Sequence, residues 1–479
     1  MNKRTKICCR ALLLAAVLLL VACGGGSGST EPAGSSPVVT VGTITGFGSV
    51  HVNGVRFDTS GTTVTLDGER GTEAQLRVGQ VVRVAGTRSR DGREGHASSI
   101  DFDDAVQGPV QSVDAVAGRL VVLGQVVQVD ALTSFDDDFS PASLAGVAVG
   151  AIVEVSGFRG SDGVIHATRI EPKEASESFE VTGTITNHDA AARRFDIGGL
   201  SVDYSAAQLD DLPGGAPENG LIVEVKGRSF DNGVLLATRV EGKRDDMDED
   251  DMEAEIEGVI TRFASATDFD VNGHAVTTTS ATRFEGGSSA DLALDVRVEV
   301  EGELRDGVLH ADEVKFEREA NLRVSASIGS IDAAAGTFTV LGITIQTSAS
   351  TRFEDKTDAQ ARPFDLSSLR VGDFVEVRGS AGTAANSIAA ARIEREDEQG
   401  RIELRGIATD VAQPELRILA VSVLTNAGTE FKGEDDGSVS AADFFAQAPG
   451  HLVSVDGRLD GTVLVAREIE LEGEDDSDD

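Results

Sequence analysis

Hydrophobic and polar residues alternate along many short stretches of this chain, and residues 296–317 show the pattern most clearly. Val298 and Val300 fall on one face of an extended segment and charged residues fall on the other, because side chains in a strand alternate with a period of two. This alternation is typical of a sheet with one face on a core and one face in water. Asp306 and Gly307 then tolerate the positive φ angles of a tight turn. The stretch therefore predicts a β-hairpin.

The return strand of this hairpin is less regular. Val308 and Val314 share one face, whereas Leu309 and Ala311 lie on the other. A hydrophobic face that changes sides in this way indicates an extra residue in the strand. We therefore expect a β-bulge near Ala311.

Five other segments repeat the strand, turn and strand of this hairpin. The first strand of each copy ends at a glycine: Gly86, Gly157, Gly227, Gly302, Gly379 and Gly457. Successive glycines lie 70–78 residues apart. A period of this length, with several strands in each copy, predicts tandem small domains rather than a solenoid of short repeats.

Shorter predicted strands precede the hairpin in each copy. Two of them form a hairpin, with its turn at Asn53 and Gly54 in the first copy. A third often carries a phenylalanine: Phe135, Phe284, Phe353 and Phe431. A variable connector follows, and residues 365–373 are the best candidate for one short helix there. Five strands and a connector predict a barrel similar to the OB-fold, and a stack of small antiparallel sandwiches is the alternative.

The predicted fold class is all-β, with six tandem small antiparallel OB-like β-barrels of about 65–78 residues. The predicted repeats 1 to 6 span residues 39–104, 105–173, 178–243, 253–318, 321–397 and 401–472. Units of this size are small for an independent core, so we expect neighbours to pack on one another. Residues 244–252 form a predicted acidic linker with three units on each side, and residues 473–479 form an acidic tail.

The first 22 residues are predicted to be an export signal. A basic segment precedes the apolar residues 11–22, which are too few to span a bilayer comfortably. This segment ends in Leu-Val-Ala and Cys23, which resembles the lipobox of bacterial lipoproteins. The resemblance implies cleavage before Cys23 and attachment of a diacylglycerol to its thiol. Gly24 follows instead of aspartate, which implies an anchor in the outer membrane.

Residues 23–38 join the lipidated cysteine to a flexible tether rich in glycine and serine. Cys8 and Cys9 belong to the predicted signal, so Cys23 is the cysteine that remains after cleavage. The mature chain can then form no internal disulfide and no thiolate metal site.

The repeated segments resemble a known bacterial family. A GTIT-like first strand, a VNG turn, a VEVxG strand and a DGVxxAxxIE return strand recur over residues 40–472. Together they are similar to a domain of unknown function that occurs as tandem OB-like repeats in exported lipoproteins. The resemblance implies a fold and an exported protein. It implies no site residues, because that family carries no established activity.

The formal net charge of −39 argues against a nucleic-acid partner. Binding to nucleic acid depends on lysines and arginines that neutralise phosphates. The chain also has no tryptophan and a single tyrosine, Tyr204, so it is poorly supplied with side chains on which bases stack. We expect no nucleic-acid binding.

Motifs for catalysis are weak in this sequence. His96, His166 and His310 occupy one repeat position, which other copies fill with Leu236 and Val465, so a packing role is favoured over metal ligation. The chain contains neither an HExxH nor a GxSxG motif. We therefore predict that the protein is not an enzyme.

Acidic loops are the sequence features with a plausible ligand, because loops dense in aspartate can supply oxygen atoms to Ca²⁺. The acidic clusters are Asp101 with Asp103 and Asp104, residues 136–138, residues 245–251 and residues 434–436. The candidate residues for calcium among them are Asp136, Asp137, Asp138, Asp435 and Asp436. None of these loops has the spacing of an EF-hand, and the same charges also favour solubility and oppose edge-to-edge association. No other cofactor is expected.

The leading functional hypothesis is a non-enzymatic lipoprotein of the cell envelope that acts as a modular spacer, scaffold or interaction array. It would be held in the outer-membrane bilayer through Cys23 and face the periplasm or the cell surface. Its partners would be envelope proteins or polysaccharide. The alternative is a protein that binds divalent cations or polysaccharide. A third hypothesis is a hydrolase with a site between repeats, because carboxylate pairs are abundant.

Overall fold

Alternating hydrophobic residues form the inner faces of small barrels in a computed structural model of the protein. The structure describes residues 35–174, 178–243, 252–398, 400–434 and 437–473. The predicted signal, Cys23 and most of the tether lie outside the described residues. Within the described part of the chain, no helix is long and apolar enough to cross a membrane.

Repeats 1 to 3 contain twenty strands. Repeat 1 contains β1 (Ser36–Gly46), β2 (Val50–Val52), β3 (Val55–Asp58), β4 (Thr63–Leu66), β5 (Glu69–Gly71), β6 (Val81–Arg88) and β7 (Glu94–Phe102). Repeat 2 contains β8 (Val106–Asp114), β9 (Arg119–Val122), β10 (Gln125–Gln128), β11 (Ser134–Phe135), β12 (Ile152–Arg159) and β13 (Ile165–Pro172). Repeat 3 contains β14 (Phe179–Thr184), β15 (Thr186–Asp189), β16 (Arg194–Ile197), β17 (Leu200–Asp203), β18 (Gln208–Asp210), β19 (Ile222–Asp231) and β20 (Val234–Gly242).

Repeats 4 to 6 follow the same order. Repeat 4 contains β21 (Met252–Ser265), β22 (Asp268–Val271), β23 (His274–Thr277), β24 (Arg283–Glu285), β25 (Arg297–Arg305) and β26 (Val308–Phe316). Repeat 5 contains β27 (Leu322–Asp332), β28 (Thr337–Val340), β29 (Ile343–Gln346), β30 (Arg352–Asp355), β31 (Phe374–Ala381) and β32 (Ser387–Glu396). Repeat 6 contains β33 (Ile402–Ala412), β34 (Glu415–Ile418), β35 (Val421–Leu424), β36 (Glu430–Lys432), the helix α1 (Ala441–Gln447), β37 (Leu452–Asp460) and β38 (Val463–Leu471).

Each repeat closes its strands into a barrel. In repeat 4, β21 pairs with β22, β22 with β23, β23 with β26, β26 with β25, and β25 again with β21. The short strand β24 pairs with β26 as well. The pairings of β23 and β24 with β26 are parallel, whereas the others are antiparallel. The predicted OB-like barrel is confirmed, and the structure adds a parallel strand pair to it.

A glycine is required where the first strand of the hairpin crosses the return strand. In repeat 4 the register shifts after Glu301 of β25, because Asp312 of β26 is an extra residue. A Cβ atom on Gly302 would lie 2.1 Å from the main-chain oxygen of His310, and equivalent glycines of the other repeats meet the corresponding oxygen at 2.0–2.6 Å. The predicted bulge near Ala311 is confirmed. The repeated glycine therefore has a steric cause.

The predicted short helix is replaced by a single 3₁₀ turn. Leu366–Ser368 forms this turn, and the main-chain nitrogen of Ser368 donates to the Asp365 carboxylate at 3.1 Å. Short connectors commonly take this tighter geometry. The α-helix of the described chain lies instead in repeat 6, where α1 buries Phe444 and Phe445. The predicted phenylalanines lie on β11, β24, β30 and β36, which are the fourth strands of repeats 2, 4, 5 and 6.

First strands join the barrels into three pairs. β1 of repeat 1 runs parallel to β21 of repeat 4 over residues 38–41 and 253–256. β8 pairs with β14 to join repeats 2 and 3, and β27 pairs with β33 to join repeats 5 and 6. Three repeats lie on each side of the acidic linker along the chain, but the pairing of repeat 1 with repeat 4 joins the two sides. The unpaired main-chain N–H and C=O groups at the edge of one first strand form hydrogen bonds with those of another, even when the two repeats are distant in sequence.

The hydrophobic cores are shared within two of these pairs of repeats. One cluster of buried side chains spans repeats 2 and 3, and another spans repeats 5 and 6. Repeats 1 and 4 keep separate clusters, but Val39 of repeat 1 packs within the cluster of repeat 4. Met252, assigned to the linker from the sequence, is the first residue of β21.

The charged faces of several hairpin strands are buried, contrary to the expectation that they lie in water. Glu154 is 3% exposed, Glu224 is 4% exposed and Glu376 is 4% exposed. Another repeat covers each of these faces, which a pattern within one strand cannot reveal. The polar side of the alternation therefore forms junctions between repeats.

Candidate functional site

Charged side chains connect repeats that are not adjacent in sequence. The Arg88 guanidinium of repeat 1 lies 3.0 Å from the carboxylate of Glu253, 3.6 Å from Glu255 and 2.5 Å from Glu301, all in repeat 4. Burial would lower the pKa of Arg88, but these carboxylates outweigh it and raise the pKa. Contacts of this kind concentrate in two further junctions, which differ in the sign of their charge.

The arginine junction is the contact of four cationic side chains of repeat 5 with residues 131–135 of repeat 2. Each of the four donates to a main-chain oxygen: Arg378 to Ala131 at 2.9 Å, Arg352 to Leu132 at 3.2 Å, Arg392 to Thr133 at 2.9 Å and Lys356 to Phe135 at 3.1 Å. Charged donors make stronger hydrogen bonds than neutral ones. The segment before and within β11 is thereby fixed against the face of repeat 5.

Carboxylates balance the charge of this junction. Arg392 lies 2.5 Å from Glu394, and Arg378 lies 2.5 Å from Glu376. Burial would raise the pKa of Glu376, but Arg378 and Arg323 outweigh it and lower the pKa to about 2. The Glu376 carboxylate therefore stays ionised and paired at neutral pH.

A small cleft opens beside the arginine junction, where repeats 1, 2 and 5 meet. Its volume is about 190 Å³, and Asp136, Arg169, Phe47 and Arg362 are among its lining residues. Arg362 lies 3.2 Å above the centre of the Phe47 ring and also donates to the main-chain oxygen of Leu76 at 2.8 Å. Pockets for drug-sized ligands are larger, roughly 300–1,000 Å³. The cleft is therefore too small for an extended sugar chain.

The acid junction lies where repeats 1, 2 and 3 meet. It consists of Asp67 and Asp104 of repeat 1, Glu154 of repeat 2, and Glu180 and Glu224 of repeat 3. Asp67 occupies the turn between β4 and β5 with φ of +50°, and Asp104 follows β7. Glu154, Glu180 and Glu224 lie on the outer faces of β12, β14 and β19. Five carboxylates are thus gathered from three repeats.

Lysines pair with the glutamates of the acid junction. The Lys226 ammonium lies 2.6 Å from Glu180 and 2.9 Å from Glu224. Lys173 lies 2.7 Å from Glu154. Lys243 also pairs with Glu224. Three lysines thus balance the three glutamates, and the two aspartates have no cation paired to their carboxylates in the described chain.

Asp104 has a buried oxygen atom without a partner. The residue is 4% exposed, and within the described residues its Oδ2 atom has no hydrogen-bond partner. Its main-chain nitrogen donates to Oδ1 of Asp67 at 3.0 Å, which places the two carboxyl groups side by side. One carboxylate oxygen from each of Asp67, Asp104 and Glu180 lies within 4.8 Å of the other two.

Protonation of the two aspartates is perturbed. Burial, together with the negative charge of Glu154, raises the pKa of Asp67 to about 7. Burial and the Asp67 carboxylate raise the pKa of Asp104 well above its usual value. Two neighbouring carboxyl groups in such a site either retain a proton or accept a cation. The acid junction can therefore do one of two things: hold a proton or bind a hard metal ion.

The calcium candidates from the sequence have other contacts. Asp136 lies 2.8 Å from Arg169, and Asp137 lies 3.0 Å from Lys356. Asp138 is exposed, and its main-chain nitrogen donates to Asp136 at 3.1 Å. Asp435 and Asp436 lie outside the described residues, as does Cys23. The prediction of calcium in these loops stays a prediction.

The histidines that share one repeat position lie on return strands. His96, His166 and His310 are half-buried there, opposite Thr87, Phe158 and Glu303 of the preceding strand. The described residues place no metal-binding cluster around them. This placement agrees with a packing role.

Sequence reasoning did not identify the acid junction. Asp103 and Asp104 are adjacent, and nothing local tells which of them is buried. Asp67 precedes Gly68 and has the sequence of an ordinary turn. One available signal is a glutamate three residues before the repeat glycine: Glu154, Glu224, Glu299 and Glu376. A charge that recurs at one position beside a core strand indicates a contact surface between repeats.

These features define a class of protein, an array of small β-barrels fused through shared sheets and charged junctions. A family model described as "Domain of unknown function (DUF5666)" matches residues 39–101, 107–171, 182–241, 257–315, 326–394 and 405–470. The chain belongs to this family and contains six of its domains in tandem.

Other comparisons add little. The solved structure described as drosophila Unr CSD456 is similar over 44% of this chain and 97% of that chain, with 16% identity and a TM-score of 0.13. That score is too low to support an argument about fold or function. No curated protein matches the chain.

Proposed function

We propose that the protein is a non-enzymatic, lipid-anchored scaffold of the bacterial cell envelope. The observation that supports this most strongly is the way in which the six barrels are joined. Strand pairs connect repeat 1 to 4, 2 to 3 and 5 to 6, and the arginine junction connects repeat 2 to 5. A scaffold must hold its modules at fixed positions, and these contacts supply that rigidity.

The junction chemistry also favours a structural role over a hydrolytic one. Within the described residues, the buried carboxylates of the arginine junction are paired with arginines, and Glu376 has a pKa of about 2. A general acid needs the opposite shift, toward the working pH, which occurs at Asp67 and Glu396 but not in this junction. The cleft of about 190 Å³ is also a poor fit for polysaccharide. Envelope proteins are thus the partners that we propose for the exposed faces.

The anchor is proposed from the sequence around Cys23. A lipidated cysteine followed by a Gly/Ser tether would hold the barrels near the outer membrane, and a lipid anchor draws its affinity from buried methylene groups. The full chain should therefore fractionate with the outer membrane and incorporate labelled fatty acid.

The test compares Cys23→Ser with Cys9→Ser in cells grown with radiolabelled palmitate. Cys9→Ser is the matched control, because it makes the same change within the predicted signal. We expect label and membrane association to persist in Cys9→Ser and to be lost in Cys23→Ser. Equal labelling and equal membrane association of Cys23→Ser and the unchanged chain would contradict the proposal.

A further inference from the structure

We propose that Asp67, Asp104 and Glu180 bind a hard divalent cation, Ca²⁺ or Mg²⁺, at the acid junction. Two independent observations point to this site. Carboxylate oxygens of the three residues lie within 4.8 Å of one another. The buried Oδ2 atom of Asp104 has no hydrogen-bond partner among the described residues.

The spacing fits a shared ion. Calcium binds oxygen ligands at about 2.3–2.6 Å, so two oxygens on one ion lie at most about 5 Å apart. The three carboxylate oxygens meet this limit. Magnesium needs fewer protein ligands, because it keeps several waters and often uses only one or two carboxylates. The site can therefore accept either ion.

The charge of the junction also favours a divalent ion. Three lysines balance the three glutamates: Lys173 contacts Glu154, Lys226 contacts Glu180 and Glu224, and Lys243 contacts Glu224. The two aspartates then carry up to two negative charges without a cation paired to their carboxylates in the described chain. Lys226 also donates to Asp67, but to its main-chain oxygen, at 2.8 Å, and not to its carboxylate. One divalent ion would neutralise both aspartates.

A cation at this position would connect repeats that no strand pair connects. Asp67 and Asp104 belong to repeat 1, and Glu180 belongs to β14 of repeat 3. Strand pairs join repeat 1 to repeat 4 and repeat 3 to repeat 2. The ion would thus fasten the first pair of repeats to the second, which is a structural role.

The test is isothermal titration of the full chain, purified in mild detergent and stripped with EDTA, with CaCl₂ and separately with MgCl₂ at pH 7.5. Sodium chloride keeps the ionic strength constant, because a chain of net charge −39 attracts cations without a site. We expect one saturable equivalent for at least one of the ions. Asp104→Asn should weaken this binding at least tenfold.

Asp138→Asn is the matched control, because it removes the same charge from an exposed acidic loop. It should bind the cation as the unchanged chain does. The proposal is overturned if no saturable equivalent binds, if Asp104→Asn binds like the unchanged chain, or if Asp138→Asn loses the binding instead. The last result would place the ion in the loop around Asp138.

A measurement on the unchanged chain guards against a variant that fails to fold. Urea unfolding of the unchanged chain with EDTA, and with saturating Ca²⁺ or Mg²⁺ at equal ionic strength, should show a higher free energy of unfolding when the ion is present, because an ion that binds only the folded state stabilises it. Equal stability with and without the ions would show that no ion binds the folded chain at this site and would overturn the assignment.

Discussion

The arginine junction and the acid junction both bury charge between repeats, but they differ in how completely that charge is satisfied. In the arginine junction, Arg378, Arg352, Arg392 and Lys356 each donate to a main-chain oxygen of repeat 2. In the acid junction, Asp104 keeps a buried oxygen without a partner in the described chain. In the first junction Arg392 also keeps a buried Nε atom without a hydrogen-bond partner in the described chain, but its charge is paired with Glu394. In the second, the unpartnered atom belongs to an acid without a paired cation, which leaves room for a proton or a cation.

This difference follows from the hydrogen-bonding chemistry of the side chains that each junction buries. A guanidinium carries several donors and remains charged, so it can bind a carboxylate and a carbonyl at once. A carboxylate at neutral pH only accepts, so a group of carboxylates needs donors or cations from elsewhere. Removing charge should therefore destabilise the arginine junction and stabilise the cation-free acid junction.

The largest expected effect is from Arg392→Met. This substitution leaves the buried Glu394 carboxylate without its arginine and the Thr133 oxygen without its donor. Loss of one partner from a buried ion pair costs about 3–5 kcal/mol. Urea unfolding should show this loss in the free energy of unfolding. Arg417→Met on an exposed position of β34 should change it by less than about 0.5 kcal/mol, and equal effects would contradict the account.

Asp104→Asn should increase the free energy of unfolding, whereas Arg392→Met decreases it. With EDTA present at pH 8, removal of a buried, unpartnered charge beside Asp67 should raise the free energy of unfolding by about 1–3 kcal/mol. Urea unfolding of Asp104→Asn and Asp138→Asn in the same buffer measures this gain. A destabilised Asp104→Asn chain would show that the ionised aspartate has a partner after all.

Arg378→Met should cause a smaller loss than Arg392→Met. The Ala131 oxygen loses its donor, but Glu376 keeps its contact with Arg323. A buried acceptor left without a partner costs about 1–3 kcal/mol. Thermal unfolding should rank the stability as unchanged chain, then Arg378→Met, then Arg392→Met. The reverse ranking of the two variants would mean that Glu394 has another partner.

A further expected effect is a difference in pH dependence. The pKa of Asp67 is raised to about 7, so the folded state binds more protons than the unfolded state between about pH 4 and 7. Stability from this group is present at low pH and is lost as the pH rises through 7. Glu376, with a pKa of about 2, behaves oppositely: its contribution is present above about pH 4.5 and is lost as the pH falls toward 2.

Unfolding in EDTA from pH 5 to 8 measures this difference. Glu396 also has a pKa of about 7, so the unchanged chain must be compared with Asp67→Asn. The stability gain of Asp67→Asn over the unchanged chain should grow as the pH rises. Parallel pH profiles of the two chains would show that Asp67 titrates normally.

The barrel itself could be predicted from sequence because its signals are local. Alternating valines mark the strands, Asn53 and Gly54 mark a turn, and the displaced face near Ala311 marks the bulge. Residues 365–373 form a single 3₁₀ turn instead of a longer helix, because the chain returns to an extended conformation at Leu369. These features depend on contacts within a single repeat.

The pairing of repeats and the acid junction could not be predicted, because they depend on contacts across long separations. β1 joins β21 more than two hundred residues away, and no local pattern specifies this partner. The buried Glu154 and the exposed Glu218 look alike in sequence. Only the assembled repeats show which charged face is covered.

The fusion of repeat 1 with repeat 4 is tested most directly by a distance measurement. Spin labels at two exposed turns, on Ser60→Cys of repeat 1 and Asp306→Cys of repeat 4, would be measured by pulsed electron spin resonance after Cys8, Cys9 and Cys23 are changed to serine. A second label pair, on Ser289→Cys and Asp306→Cys of repeat 4, gives the width of the distance distribution expected within one rigid barrel. We predict a single distance between repeats with a similarly narrow distribution. A broad distribution, as for units joined only by the linker, would contradict a rigid array.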